Sequence, residues 1–248
     1  MLVVEQYERL SDLERVKYLE SHVAEDTDLG ESFLVGALES EVNPQAKWLL
    51  VKGLGIRRSR SAVALILRIC RGPNASIGGG SLHAICAWSL GRIGQSAFHG
   101  VAALLEDSSP DTRKCAVDAL GELRDARGIE AVRVALEKDV PEVQLWAALT
   151  LAKIGQPSVR SLHDVMARTS GRTRLLVLDA ICRIGSRDSV PVISKVLRQG
   201  LREERLWILE RGQAFYSELK EDLVACVRLA DKEVSESAAS ALRAIGSS

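Results

Sequence analysis

The chain says nearly the same thing five times: "AWSLGRIG" begins at 87, "AVDALGEL" at 116, "ALTLAKIG" at 148, "LDAICRIG" at 178 and "ASALRAIG" at 239. Counted back from registers 94, 124, 155, 185 and 246, the minus-four position holds Leu90, Leu120, Leu151, Ile181 and Leu242. Minus one holds Ile93, Leu123, Ile154, Ile184 and Ile245. Minus three is small in Gly91, Gly121, Ala152 and Cys182, and only Arg243 departs from it. Apolar positions three and four apart form one stripe of a helix rather than the alternating face of a strand. A period of about 30 residues marks a repeat architecture.

A second stripe follows each octet: Phe98, Val101, Leu104, Leu105, then Ile129, Val132, Ala135, Leu136. Val159, Leu162, Val165, Met166 and Val190, Ile193, Val196, Leu197 repeat its spacing. Each unit is therefore a helical hairpin that cannot bury both stripes alone, so neighbours must stack. The expected fold is an all-α solenoid, a superhelix of stacked hairpins. Residues 1–42 lack the motif and read as an amino-terminal capping hairpin, with Ser11 and Glu14 placed as a capping box. Residues 43–248 read as about six repeats in one continuous solenoid, with a loop insertion at 72–81, a degenerate copy between 186 and 245, and a terminal half repeat with an exposed flank. Asn43-Pro44, Ser109-Pro110 and Asp139 ahead of Pro141 are expected to supply helix caps.

The copies "PDTRKCAVDALGEL" (110–123) and "VPEVQLWAALTLAKIG" (140–155) resemble the HEAT-like repeats of the phycobilisome-lyase type, and the resemblance runs over about residues 43–246. It implies an α-solenoid. That family includes interaction scaffolds as well as bilin lyases, so a chromophore-handling factor is one function it implies.

The amino-terminal apolar run is too short for a signal peptide, and the longest later one, 62–67, is far below the ~20 residues of a membrane span. A cytoplasmic protein is expected. Cys70, Cys86, Cys115, Cys182 and Cys226 lie in helical apolar patterns without a CxxC and read as buried free thiols. His22, His83, His99 and His163 stand apart, with no carboxylate at metal-ligand spacing. "SIGGGS" at 76–81 lacks the Gly-Lys-Ser/Thr of a phosphate loop. No catalytic residue, metal or cofactor is assigned.

Charge is balanced overall, with 33 basic and 33 acidic side chains, but uneven along the chain. Residues 1–41 hold eleven acidic and three basic side chains, whereas 42–105 hold eight basic and no acidic ones. Lys47, Lys52, Arg57, Arg58 and Arg60 are therefore anion-binding candidates, covered by the acidic cap or open to a polyanion. Trp48 and Trp88 sit in apolar contexts that predict core. Beside the second stripes, His99, Arg127, Glu130, Val134, Arg160, Asp164, Lys195 and Gln199 are expected to line the concave groove, and their mixed signs suit a protein partner. The leading expectation is a non-enzymatic scaffold or adaptor binding a protein along that groove. Nucleic-acid binding through the 47–71 block is the alternative.

Overall fold

The computed structural model describes residues 2–23, 28–78 and 80–246. Glu25 and Asp26 of the acidic stretch and Gly79 of the insertion lie outside the described residues. The described residues form helices and one pair of two-residue strands, and the chain divides into two compact units, Met1–Ala131 and Val132–Ser248.

In the first unit, α1 (Val4–Glu8), α2 (Asp12–His22) and α3 (Glu31–Ser40) precede the hairpins of α4 (Pro44–Ile56) with α5 (Val63–Cys70). Strands β1 (Ser76–Ile77) and β2 (Gly80–Ser81) then pair antiparallel inside the 72–81 insertion, which is thus partly ordered by its own ladder. α6 (Leu82–Ile93), α7 (Phe98–Ala103) and α8 (Pro110–Leu123) follow, and the chain passes into the second unit within α9 (Ile129–Lys138). First helices lie side by side in the order α2, α4, α6, α8, and the second helices α5 and α7 pack on each other. The second unit repeats this plan. α10 (Pro141–Ile154), α12 (Gly171–Ile184), α14 (Arg202–Arg211) and α16 (Lys232–Gly246) form its row of first helices. Its second helices include α11 (Val159–Arg168), α13 (Val190–Gln199) and α15 (Lys220–Val227).

The two stripes are the core. Leu90, Leu120, Leu151 and Ile181 are fully buried, as are Val101, Val132, Leu162 and Ile193 on the second helices. Burying each such side chain contributes ~1.5–3 kcal/mol. Small residues at minus three let first helices touch: a Cβ at Gly91 would stand 2.3 Å from that of Glu122 on α8. In the last copy, where Arg243 replaces a small residue, Leu242 and Ile245 are only half-buried.

Helix starts follow the polar residue that directly precedes proline. Asn43 Oδ1 accepts from the backbone N–H groups of Gln45 (2.9 Å) and Ala46 (3.0 Å), and Ser109 Oγ accepts from Thr112 (3.4 Å). Ser11 and Glu14 form the reciprocal capping box. Asp139 does not cap α10 as expected. Pro141 occupies the first turn and holds its predecessor extended, so the N-cap is Val140, and Asp139 Oδ1 accepts from the Val140 N–H at 2.7 Å.

The joint between hairpins carries a recurring stitch. Eleven residues before registers 94, 124, 185 and 246 stand His83, Arg113, Arg174 and Ser235. Each reaches a carbonyl at the end of the preceding hairpin. His83 Nε2 lies 3.0 Å from Gly72 O, Arg113 donates to Asp107 O (2.9 Å) and Ser108 O (3.0 Å), Arg174 to Met166 O, and Ser235 to Val227 O (2.7 Å). Met166 and Val227 lie in the last turn of a helix, whose carbonyls lack an internal partner, and Gly72, Asp107 and Ser108 lie just beyond a helix end. Arg205 does the same to Leu197 O and Arg198 O, both at 2.9 Å. It locates the degenerate copy at register 216, where α14 stops early and Phe215, Tyr216 and Leu219 fill the core instead.

Candidate functional site

The residues expected to line the groove are all exposed. In the first unit His99 stands on α7, its ring edge-on to Phe98 at 5.5 Å between centroids, and Glu130 opens the first turn of α9. Arg127 is not on a second helix, as the sequence suggests. It lies in the 3-10 turn Ala126–Gly128 that Asp125 caps by accepting the Arg127 N–H at 2.9 Å. Its guanidinium covers the Phe98 ring at 4.2 Å and donates to Asp125 through Nε (3.0 Å) and Nη2 (2.6 Å). The hydrogen bond with Arg127 holds the Asp125 carboxyl below its ordinary range and raises the guanidinium in turn. This cation is fixed in place before any ligand arrives.

In the second unit Val134 is exposed on α9. Arg160 and Asp164 stand one turn apart on α11, and Lys195 and Gln199 one turn apart on α13. Polar bonds tie these second helices into a rigid row. Glu137 accepts from Arg133 (2.6 Å) and Arg168 (3.1 Å), Gln156 donates to Asp188 (2.8 Å), and His163 Nε2 lies 2.9 Å from Ser189 Oγ. Burial lowers the His163 pKa, against the pull of Asp164 and Asp188.

The basic block is dispersed. Lys47 and Lys52 are half-buried on α4, whereas Arg57, Arg58 and Arg60 are exposed beyond its end. Arg57 faces the acidic stretch. Its charge helps keep the Glu31 carboxyl below the usual range, after the larger effect of hydrogen bonds from Ser59 (2.6 Å) and Ser61 (2.5 Å). Arg58 adopts a left-handed φ of 52°. Trp48 and Trp88 are not core as expected but half-buried. Each lies on a first helix under a cation one turn on, Lys52 at 5.7 Å and Arg92 at 5.6 Å from the ring centroids. A residue four positions later shares the helix face, and a cation over an indole is favourable.

Two clusters were not visible in sequence. Glu41, buried at the end of α3, accepts Tyr7 Oη at 2.6 Å and the backbone N–H groups of Val42 and Asn43 at 2.9 Å each, with Arg15 Nε at 3.1 Å. Burial, then the hydrogen bond to Glu41, drives the Tyr7 phenol far above its ordinary pKa. All five cysteines are free and buried, and three of them meet. The neighbouring Cys115 and Cys86 thiols pull the Cys70 pKa down, and Cys115 Sγ donates to His83 O at 3.5 Å. The neighbouring Cys70 thiol and burial raise Cys115, while burial raises Cys86. Among the described residues no His, Cys, Asp and Glu group is arranged to hold a metal ion, and no helix is long and apolar enough to cross a membrane.

Residues 99–174 match the family model for HEAT repeats. That stretch, from α7 into α12, carries HEAT-like repeats. No curated protein sequence matches the chain. Among solved structures, the chain is similar at 16% identity to a chain of the complex of CpcE and CpcF of phycocyanin lyase from Nostoc sp. PCC7120, over 88% of this chain and 95% of that one, with a TM-score of 0.44. It is similar at 12% identity to the Escherichia coli protein YibA, over 97% and 95% of the two chains, with a TM-score of 0.46.

Proposed function

We propose that this protein is an interaction scaffold that takes a protein partner along the exposed face of its second helices. The observation that carries the reading is the row in the second unit. Arg160, Asp164, Lys195 and Gln199 project to solvent from helices that hydrogen bonds hold in fixed register. Fixed charges of both signs orient a partner of complementary pattern, and a pre-ordered surface loses little entropy on binding. In the first unit the same role falls to His99, Arg127 and Glu130. A photo-crosslinking residue placed at Asp164 or Gln199 should capture a partner that one placed on the first helices, at Lys153 or Arg183, does not. Arg160→Glu with Lys195→Glu should abolish the capture. Crosslinks from the first helices alone would sink the proposal.

A second reading, a polyanion held by the 47–71 block, is favoured by the Trp48/Lys52 pair, which sets an aromatic ring beside a cation as single-stranded nucleic-acid binders do. It requires oligonucleotide affinity that falls steeply with salt and is lost in Arg57→Glu/Arg58→Glu/Arg60→Glu. Salt-independent anisotropy removes it.

A further inference from the structure

The first unit contains a cavity of about 290 Å³ that the scaffold reading does not use. It opens where α3 ends and α4 begins, and its far wall is the stretch entering the 72–81 insertion. Its apolar lining comes from four places in the chain: Leu38 on α3, Val42 at the junction, Leu65 and Ile69 one turn apart on α5, and Leu82 at the start of α6. Val42 is 73% exposed at the mouth, the most open of the large apolar side chains. The volume is near the lower end for small-molecule sites, ~300 Å³.

Two cations, Lys47 and Arg68, share this lining. Neither has a carboxylate within 4.0 Å among the described residues. The acidic side chains of the wall do not serve them. Glu41 is spent, its two oxygens taken by Tyr7, Arg15 and the N–H groups of Val42 and Asn43. Glu39 is exposed at the rim. Nor does the surrounding chain supply an anion, since 42–105 contains no Asp or Glu. An apolar hollow edged by two unmatched cations has a definite complement, a compact apolar body that ends in a negative charge. A carboxylate between an ammonium and a guanidinium gains charge-assisted hydrogen bonds, while the body displaces water from the apolar lining.

We propose that this cavity is a binding site for an apolar carboxylate, a branched or aromatic body seated among Leu38, Val42, Leu65, Ile69 and Leu82 with its carboxylate held by Lys47 and Arg68. That chemistry has two sources, a free organic acid or the carboxy-terminal residue of a polypeptide. The site shares no residue with the partner face proposed above, His99, Arg127 and Glu130 in the first unit and Arg160, Asp164, Lys195 and Gln199 in the second, so it stands or falls independently of the scaffold reading.

The test is a titration of the full chain followed by backbone amide shifts. The probes are 4-methylpentanoate, a hexapeptide ending in leucine, and that peptide as its carboxy-terminal amide. At least one carboxylate should shift Val42, Ile69 and Leu82 with saturation, and the amide should bind roughly tenfold more weakly or not at all. Lys47→Ala and Arg68→Ala should each weaken the acid by about tenfold, with unchanged thermal melting, because both side chains reach solvent. Glu39→Gln should tighten it by removing a like charge from the rim. Comparable affinity for both carboxylates identifies a free-acid site, and clear preference for the peptide a carboxy-terminus site. Three results would overturn the proposal: no saturable shift up to about 10 mM of either acid, far weaker than small-molecule sites of this size bind; equal binding of the amide; or wild-type affinity in both cation variants.

Discussion

Gly91 of α6 faces Glu122 of α8 so closely that a Cβ added to the glycine would lie 2.3 Å from the glutamate Cβ and 3.1 Å from its carbonyl carbon. The obstacle is backbone and a Cβ, neither of which can swing away as a side-chain tip can. Gly91→Ala is therefore expected to force the two first helices apart and to destabilise the first unit by ~1–3 kcal/mol, the usual cost of overpacking. Urea unfolding monitored by circular dichroism measures it. Gly246→Ala is the control. It meets nothing within 4 Å and sits in a helix, so it should be neutral or slightly stabilising.

Removing Arg174 should cost more than removing any exposed arginine. Its Nε donates to Glu204 at 2.5 Å, and Glu204 is only 3% exposed. Arg174→Ala leaves that carboxylate in the core without its cation and should lose ~3–5 kcal/mol. Removing both charges, in Arg174→Met/Glu204→Leu, should recover most of the loss. A double variant as unstable as Arg174→Ala would show that the loss comes from the stitch to Met166 rather than from the stranded charge.

Arg124 ends α8 in the left-handed region, at φ 49°, at the register where three of the other copies place the positive-φ glycines Gly94, Gly155 and Gly185. A side chain with a Cβ costs ~1–2 kcal/mol there. Arg124→Gly should raise the stability of the first unit by about 1 kcal/mol, offset in part by the greater freedom of glycine in the unfolded chain. A lowered melting temperature would refute this.

Burial raises the Cys182 thiol to about 12 from an ordinary value of 9.0, with Asp179 adding to the shift and Arg211 opposing it. Its contribution to stability is complete below pH 9. Between pH 9 and about 12 the unfolded chain has released a proton that the folded chain keeps, so unfolding becomes easier as pH rises, at up to ~1.4 kcal/mol per pH unit. Cys182→Ala should flatten the alkaline limb of a stability–pH curve by that amount, and an unchanged limb would count against it.

What could be read from the sequence was whatever repeats. Leu90, Leu120, Leu151 and Ile181 recur at one register, and identical spacing implies identical burial. The small residues between them foretold close helices, as Gly91 confirms. Features set by a single joint were misread or missed. Asp139 looked like a cap because the chain offers an acid near Pro141, yet only the residue next to proline can be the N-cap. Trp48 and Trp88 looked like core because their neighbours are apolar, although helical spacing puts them on the same face as Lys52 and Arg92. The meeting of Cys70, Cys86 and Cys115 depends on the register between α5, α6 and α8, which no one-dimensional pattern contains. The cavity beside Val42 was hidden for the same reason, being assembled from α3, α4, α5, α6 and an insertion.

The stitch at the hairpin joints runs in one direction. His83, Arg113, Arg174, Arg205 and Ser235 each give a hydrogen bond backward, to carbonyls of the hairpin just completed. The giver is a particular side chain, while the receiver is main chain that any helix end presents. This fastener therefore needs a particular residue on one side of the joint only, in contrast to the Arg174–Glu204 pair and the Gly91–Glu122 contact, which need one on both.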